Sequence, residues 1–302
     1  MIETSEKFVG ADEIQLWTDS FGDANRPAVL LIMGAMNQGI VWPDEFCAEI
    51  AQHGNHVIRY DHRDTGQSSS VDFEKHPYSL DDLARDAQMI LDGYGIHKAH
   101  VVGLSMGGFL AQLLALDYPD RVLTLTLMMT SPDQRVYFAA TMGQDTGGFD
   151  LPPPSREFLA HLASTRRNPP KTVDEAIASA VEGWRICSGN GIPFDAESVY
   201  RLQQRSWARA KAPQSAINHV LATVGSPGRV QRLGRITVPT LVIHGQNDPC
   251  LPVEHGIALA NAIPGAKLVV IPEMGHLLPL SLSKQVAGMV LEHIHRISTD
   301  GP

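Results

Sequence analysis

The stretch that decides the fold is VVGLSMGGFL, residues 101–110. An apolar run leads into a single polar residue, Ser105, with Gly103 two residues before it and Gly107 two residues after it. Where a strand turns sharply into a helix, the residue at the turn takes strained backbone angles, and flanking glycines let neighbouring backbones approach closely. The G-x-S-x-G pattern therefore predicts a serine hydroxyl that stands exposed above the carboxyl end of a strand and can act as a nucleophile.

Short apolar runs alternate with helix-like segments on both sides of Ser105. Strands are predicted over residues 28–33, 56–61, 100–105, 122–129, 240–245 and 267–272. Their high content of Val, Leu and Ile is typical of a parallel sheet that helices cover on both faces. Ser79 and Asp82 form a capping-box pattern at the start of one predicted helix, and further helices are expected over 108–117 and 283–297. The alternation predicts an α/β fold with a mostly parallel, doubly wound sheet.

The alternation breaks between residues 133 and 235, where clustered prolines separate short helix-like stretches. Residues 134–235 contain 13 Lys+Arg and 8 Asp+Glu, a formal charge of +5, whereas the remainder contains 11 and 25, a formal charge of −14. We expect residues 1–132 and 236–302 to form one core domain. Residues 133–235 are expected to form a helical cap inserted between two strands of the sheet.

Composition limits the class of protein. A chain of 302 residues can bury one large core, and a net charge of −9 argues against a nucleic-acid partner. The apolar runs are shorter than the ~20 residues of a membrane span, and the first ten residues lack the apolar segment of a secretory signal. Cys47, Cys187 and Cys250 form no C-x-x-C pattern and are expected to be free, buried thiols. We predict a cytoplasmic protein without a membrane partner.

A serine nucleophile needs a base and an acid that orients the base. On a sheet of this kind, the chain order is serine, acid, histidine. Asp248 follows the predicted strand 240–245, and His276 follows the predicted strand 267–272, so both lie at the sheet edge where Ser105 is expected. They are the predicted acid and base. Alternative acids are Asp133 and Glu254, and alternative bases are His255, His293 and His295.

Two backbone N–H groups are expected to hold the oxyanion. Met106 supplies one at the start of the helix after Ser105, and Ala35 supplies the other in the loop after the first predicted strand. Met36, Trp42 and Trp184 are candidates for the wall of the substrate pocket, although core packing explains Met36 and Trp42 equally well. The sequence contains no H-E-x-x-H or comparable set of metal ligands.

The charged segment DHRDTG, residues 61–66, follows a predicted strand. Charged groups gather in structural ion-pair networks as well as in active sites. We interpret this segment as a structural loop near the site, whose charged groups pair with one another.

These motifs together resemble the α/β-hydrolase superfamily and, within it, the aclacinomycin methylesterase group. The resemblance is carried by LWTDSFGD, WPDEF, HVIRYDHRDTG, AHVVGLSMGG, ALDYPDRV, WRICSGNGIPFD, VPTLVIHGQNDP and MGHLLP. It implies a catalytic triad of Ser105, Asp248 and His276 and an oxyanion hole at Ala35 and Met106. Enzymes of that group cleave a methyl ester from a polycyclic polyketide glycoside and need no cofactor.

The resulting hypothesis is a cofactor-free hydrolase of small-molecule carboxylic esters, which acts through an acyl-enzyme on methyl or other small-alcohol esters of bulky or aromatic acids. The alternatives are a lactonase, a perhydrolase of the haloperoxidase type, a C–C hydrolase, a ligand receptor without turnover, and an interaction protein that binds through its cap. Epoxide hydrolases and dehalogenases of this fold are disfavoured because they carry Asp where this chain has Ser105.

Overall fold

The computed structural model describes residues 3–11 and 13–299. Within them, one eight-stranded sheet has the order β1-β2-β4-β3-β5-β6-β7-β8. The strands are β1 (Thr4–Ala11), β2 (Ile14–Phe21), β3 (Ala28–Ile32), β4 (His56–Tyr60), β5 (Ala99–Leu104), β6 (Val122–Met128), β7 (Thr240–Gly245) and β8 (Lys267–Ile271). Strands β3 to β8 run parallel to one another. Strand β2 pairs antiparallel with both β1 and β4. The predicted α/β fold with a mostly parallel sheet is confirmed.

Helices connect the strands. They are α1 (Asp44–Gln52), α2 (Leu80–Gly93), α3 (Met106–Asp117), α4 (Arg135–Thr141), α5 (Arg156–Arg167), α6 (Val173–Cys187), α7 (Ala196–Arg209), α8 (Asn218–Gly225), α9 (Val253–Ala262) and α10 (Ser283–Thr299). Short 3-10 helices cover Gly39–Val41, Pro119–Arg121, Pro213–Ile217, Val230–Arg235 and Leu280–Leu282. Among the described residues, no helix is both long and apolar enough to cross a bilayer.

The six predicted strands are confirmed to within one residue at either end. Strands β3, β4, β5 and β7 are fully buried, because side chains on both faces of the sheet pack against helices. Helices α2, α3 and α9 supply one core cluster, and α1 and α10 supply the other on the opposite face. The sheet is therefore covered on both sides, as the Val- and Leu-rich runs predict.

The hairpin of β1 and β2 is not predicted by the apolar pattern. Strand β1 is the edge strand and is exposed at seven of its eight positions, so its sequence TSEKFVGA contains no apolar run. Strand β2 pairs with β4 on its inner side, and its sequence IQLWTDSF has three consecutive polar residues instead of an apolar run. Edge strands satisfy only half of their backbone through the sheet, and polar side chains there oppose unwanted pairing.

Helices α4 to α8 lie in the chain between β6 and β7, the segment predicted as a cap. Helix α7 has no buried residue, and α5 and α6 bury one and two, as expected for helices that cover only one side of a site. We keep the division into a core of residues 1–132 and 236–302 and a cap of residues 133–235 as a proposal.

Candidate active site

Ser105 joins the end of β5 to the start of α3 with φ 55° and ψ −118°. This conformation is strained for a residue with a side chain. A Cβ at Gly103 would lie 2.3 Å from the carbonyl oxygen of Gly107, and one at Gly107 would lie 2.0 Å from that of Ile32. Only glycine fits at both positions, which explains their spacing around Ser105 and confirms the predicted strand–serine–helix turn.

The structure brings together Ser105, His276 and Asp248 from three loops at the carboxyl ends of β5, β8 and β7. The Oγ of Ser105 lies 3.0 Å from Nε2 of His276. On the other side of the ring, Nδ1 of His276 lies 2.7 Å from Oδ2 of Asp248. A neutral imidazole that donates from Nδ1 to the carboxylate leaves Nε2 free to accept the serine proton.

Further hydrogen bonds hold the acid and the base in place. The second carboxylate oxygen of Asp248 accepts the backbone N–H groups of Cys250 and Leu251, both at 2.8 Å. The backbone N–H of His276 donates to the carbonyl oxygen of Cys187, the last residue of α6, at 2.8 Å. The base is thus attached to the predicted cap as well as to the sheet.

Burial and charge act in opposite directions on His276. Burial favours the neutral ring and lowers its pKa, but the negative charge of Asp248 and its hydrogen bond favour the imidazolium. The net effect is a pKa of His276 above its ordinary value. Asp248 therefore makes His276 a stronger base than a free histidine.

The two residues predicted as oxyanion donors flank Ser105: Met106 follows it in the chain, and Ala35 follows Gly34, which packs against it. The N–H of Met106 belongs to the first turn of α3, where helical amides have no intrahelical partner. Gly34 packs against the serine, because a Cβ there would lie 3.2 Å from the Cβ of Ser105. Among the hydrogen bonds of the described residues, none has the N–H of Ala35 as its donor. Ala35 and Met106 as the two oxyanion donors remain a prediction.

The alternative acids and bases have other surroundings. Asp133 forms an ion pair with a neighbouring arginine, and Glu254 lies in the first turn of α9. His255 is fully buried and hydrogen bonds to a serine hydroxyl and a backbone carbonyl. His293 contacts a backbone carbonyl beside β7, and His295 is exposed on α10. Within the described chain, none of them hydrogen bonds to the Ser105 hydroxyl.

The residues predicted to line the pocket have different positions. Trp42 is completely buried and stacks on Phe46 with ring centroids 5.3 Å apart, so it packs in the core beneath the site and the pocket interpretation is not supported. Trp184 is partly buried on α6.

Met36 is 49% exposed and borders a cavity of about 230 Å³. This cavity lies between the loops after β3 and β4 on one side and helices α6 and α7 on the other. Its lining includes Met36, Gln38, Ile177, Ser206 and Trp207.

The charged loop after β4, residues 61–66, forms ion pairs that support the fold. Its charged groups pair with residues outside the loop, whereas the sequence predicted that they pair with one another. Arg63 forms two hydrogen bonds with Asp86 on α2, at 2.7 and 2.5 Å. Asp61 pairs with Arg209 at the end of α7, at 3.0 Å. The expectation that the loop's charges pair with one another is wrong, because Arg63 and Asp61 pair with residues of α2 and α7, and Asp64 accepts hydrogen bonds from residues outside the loop.

The three cysteines are free thiols, as predicted. Cys47 is buried, and burial raises the pKa of its thiol to about 12. Cys187 is only partly buried, contrary to the prediction, and its Sγ lies 3.3 Å from that of Cys250. Cys250, Asp248 and His276 offer three possible metal-ligand atoms within 4.8 Å of one another. The carboxylate and the imidazole of that group already hydrogen bond to each other.

Comparison with known proteins defines the class. The family model described as the alpha/beta hydrolase fold matches residues 27–281, and the chain belongs to this family. The chain is 39% identical over 290 residues to rhodomycin D methylesterase DnrP of Streptomyces peucetius, with 95% of this chain and 97% of the relative covered. A second rhodomycin D methylesterase, DauP of Streptomyces sp., is equally similar. The predicted resemblance to a methylesterase group is confirmed.

Solved structures support the same fold. A hydrolase from Pseudomonas aeruginosa superposes with a TM-score of 0.73 at 26% identity, with 96% of this chain and 98% of that chain covered. The 2-hydroxy-6-oxo-6-phenylhexa-2,4-dienoate hydrolase of Rhodococcus sp. superposes with a TM-score of 0.76 at 21% identity, with 98% of this chain and all of that chain covered.

Proposed function

We propose that this protein is a carboxylic-ester hydrolase that works through an acyl-enzyme on Ser105. The observation that carries the proposal is the pair of hydrogen bonds from Ser105 Oγ to His276 Nε2, at 3.0 Å, and from His276 Nδ1 to Asp248, at 2.7 Å. This geometry provides a nucleophile, a base and an orienting acid. The similarity to two methylesterases along nearly the whole chain supports an ester as the bond that is cleaved.

In the first half of the reaction, Ser105 Oγ attacks the ester carbonyl carbon while its proton passes to Nε2 of His276. Asp248 stabilises the imidazolium that results. The carbonyl oxygen becomes negative and accepts hydrogen bonds from the N–H groups of Ala35 and Met106. Met106 is the first residue of α3, where the helix dipole also favours negative charge. The tetrahedral intermediate collapses, His276 gives the proton to the leaving alkoxide oxygen, and the alcohol departs.

In the second half, a water molecule takes the place of the alcohol. His276 accepts a proton from this water, and the hydroxide attacks the acyl carbon bound to Ser105. The same two N–H groups stabilise the second oxyanion. When this intermediate collapses, Ser105 recovers its proton from His276 and the carboxylic acid is released.

The substrate proposed is a methyl or other small-alcohol ester of a bulky, partly aromatic acid. The cavity between the predicted cap and the loops after β3 and β4 is not lined by the triad, but it borders Met36, the residue after the proposed oxyanion donor Ala35. Met36, Ile177 and Trp207 form an apolar part of its otherwise mixed lining, which supports a bulky acyl group next to the site. Burying apolar area contributes about 25 cal/mol per Å², so such a wall favours an acyl group with a large apolar surface. The similarity to two rhodomycin D methylesterases supports methanol or another small alcohol as the leaving group.

The nucleophile is tested by labelling with a fluorophosphonate and by Ser105→Ala. We expect the adduct on Ser105 by mass spectrometry and a fall in kcat of about 10³-fold or more in the alanine variant. Ser70→Ala is the matched control, because Ser70 is an exposed serine away from the elbow. An adduct on another residue, or an active Ser105→Ala variant with an unchanged circular dichroism spectrum, would disprove the proposal.

The substrate class is tested by comparing kcat/KM for a methyl ester of a fused-ring acid, a short aryl acetate, a lactone and a triglyceride at matched concentrations. We expect the methyl ester to be cleaved with the highest kcat/KM. A preference for the triglyceride contradicts the small-alcohol proposal, and a preference for the lactone assigns the same triad to ring opening.

We further propose that the protein works on a small molecule in a reducing compartment such as the cytoplasm. Its three free cysteines support this, since thiols persist where glutathione and thioredoxin keep them reduced. Fractionation of cells that express the protein tests the location directly. Recovery with the membrane fraction would contradict it.

A further inference from the structure

The loop that carries the proposed oxyanion donor Ala35 is tied to a helix of the predicted cap. Met36, the next residue, has φ 64°, in the left-handed region that a non-glycine residue rarely adopts. Its backbone N–H donates to Nδ1 of His219 on α8 at 2.9 Å. His219 is fully buried, and its Nε2 lies 2.8 Å from the carbonyl oxygen of Arg63. One ring therefore joins the loops after β3 and β4.

We propose that His219 is a positioning residue for the oxyanion hole: it holds Met36 in its left-handed conformation and thereby aims the N–H of Ala35 at the carbonyl oxygen of the substrate. This inference rests on the proposed ester hydrolysis. It places a determinant of the reaction rate on α8, in the segment predicted as the cap, although His219 makes no contact with the reacting atoms.

The two hydrogen bonds define the protonation state of the His219 ring. Nδ1 accepts from an amide, so it carries no proton, and Nε2 must carry the proton that it donates to the Arg63 carbonyl. Burial lowers the pKa of His219 to about 4, so the neutral form is retained at neutral pH. A positively charged ring would turn an N–H toward the N–H of Met36 and break the contact.

A second buried histidine holds the other end of the same loop. Nε2 of His62 lies 2.9 Å from the carbonyl oxygen of Met33, and burial lowers the pKa of His62 to about 3. The rings of His62 and His219 meet edge to face with centroids 5.5 Å apart. Residues 33–36 are thus held at their first carbonyl and at their last amide, with Ala35 between the two points.

The left-handed conformation of Met36 makes this support necessary. A strained backbone persists only where its surroundings determine it, and such positions are typical of functional sites. Without an acceptor at residue 219, the Met36 N–H would lose its partner. The loop could then relax toward ordinary angles, and the N–H of Ala35 would turn away from the oxyanion.

The test is a matched pair of substitutions, His219→Asn and His219→Leu. Both remove the ring and the contact with Arg63, but the amide oxygen of asparagine lies near the position of Nδ1 and can accept from Met36. Since loss of one oxyanion donor lowers kcat by about 10²–10³-fold, we expect a fall of about 10- to 100-fold for leucine, with a nearly unchanged KM. Asparagine should retain kcat to within about threefold, because it keeps the acceptor.

Two further measurements separate positioning from packing. The affinity for a boronic acid that forms a tetrahedral adduct with Ser105 should fall in the leucine variant in proportion to kcat/KM. Met36→Gly in the leucine background should restore part of the rate, because glycine adopts a positive φ without strain. If neither His219 variant folds, ¹⁵N spectra of the wild-type imidazole provide the test. A proton on Nε2 of His219 supports the inference, and a proton on Nδ1 overturns it.

The outcomes distinguish this inference from the proposed function. If fluorophosphonate does not label Ser105 in the wild-type protein, the ester-hydrolase proposal itself fails. If Ser105 is labelled and the wild type turns over ester, equal rates for the asparagine and leucine variants overturn only the role of His219. A leucine variant that raises KM without lowering kcat overturns it as well.

Discussion

At the scale of single residues, the environment of His276 decides when it can act as a base. Burial lowers its pKa, but the charge and hydrogen bond of Asp248 outweigh burial, so the pKa lies above the ordinary value of about 6.5. The protonated ring cannot accept the serine proton. A raised pKa therefore moves the rising limb of activity to higher pH than a free histidine would give.

We accordingly expect log kcat/KM to rise with pH through one ionisation and to level off above it, with the midpoint above about 6.5. The measurement is the pH dependence of kcat/KM for an ester whose own ionisation lies outside the range. The sequence alone suggests a midpoint near the reference value, because nothing in it shows how closely Asp248 approaches the ring. A midpoint well below the reference value would mean that burial, not Asp248, dominates.

Single substitutions also distinguish the two candidate acids, Asp248 and Asp133. Asp248→Asn removes the carboxylate that fixes the His276 tautomer, and the comparable change in a serine protease lowers kcat by about 10⁴-fold. Asp133→Asn should stay within a few fold of wild type, because Asp133 is paired with Arg135 instead of the base. Steady-state kinetics of the two variants decide the assignment, and the reverse ranking would move the acid to the loop after β6.

At the scale of elements, α2 begins with a complete capping box. Ser79 Oγ accepts from the N–H of Asp82, and the Asp82 carboxylate accepts from the N–H of Ser79 at 2.8 Å. Ser79→Ala removes one cap, and we expect it to lower the free energy of unfolding by about 1 kcal/mol in urea denaturation. Ser79→Thr keeps the acceptor and should lose much less. Equal losses for both would show that packing at this position, not the cap, determines stability.

The elements also show what sequence patterns can and cannot predict. Runs such as AVLLI in β3 and TLVIHG in β7 are buried on both faces, so their boundaries are visible as changes of composition. Ser105, Asp248 and His276 follow the buried strands β5, β7 and β8, so their positions alone predicted them as nucleophile, acid and base. The contact of His219 could not be predicted, because its partner is a backbone amide 183 residues earlier, and a backbone amide leaves no side-chain signature in the sequence.

At the scale of the whole molecule, a buried ion pair joins the predicted cap to the core. Arg209, the last residue of α7, lies 3.0 Å from the carboxylate of Asp61 and 2.5 Å from the amide oxygen of Gln38. Its guanidinium also lies 4.1 Å from the ring centroid of Trp17 on β2. Asp61 is completely buried, and burial raises its pKa, although Arg209 and two backbone N–H groups oppose that shift.

Loss of Arg209 would leave the Asp61 charge buried without its ion-pair partner. Removing one member of a buried pair typically costs about 3–5 kcal/mol, so we expect Arg209→Ala to lower the free energy of unfolding by that order at pH 7. Arg201→Ala is the matched control on the same helix. It breaks an exposed pair with Glu197, and such pairs contribute about 0–1 kcal/mol.

The pH dependence of this loss tests its electrostatic origin. Without Arg209, the folded-state pKa of Asp61 should rise further above its unfolded value, so the folded variant binds the proton more tightly than the unfolded chain does. As pH falls through that raised pKa, Asp61 becomes neutral and the penalty disappears, so the gap between variant and wild type should narrow from pH 7 toward pH 5 in urea denaturation. A gap that stays constant over this range would assign the loss to the stacking of Arg209 on Trp17 instead.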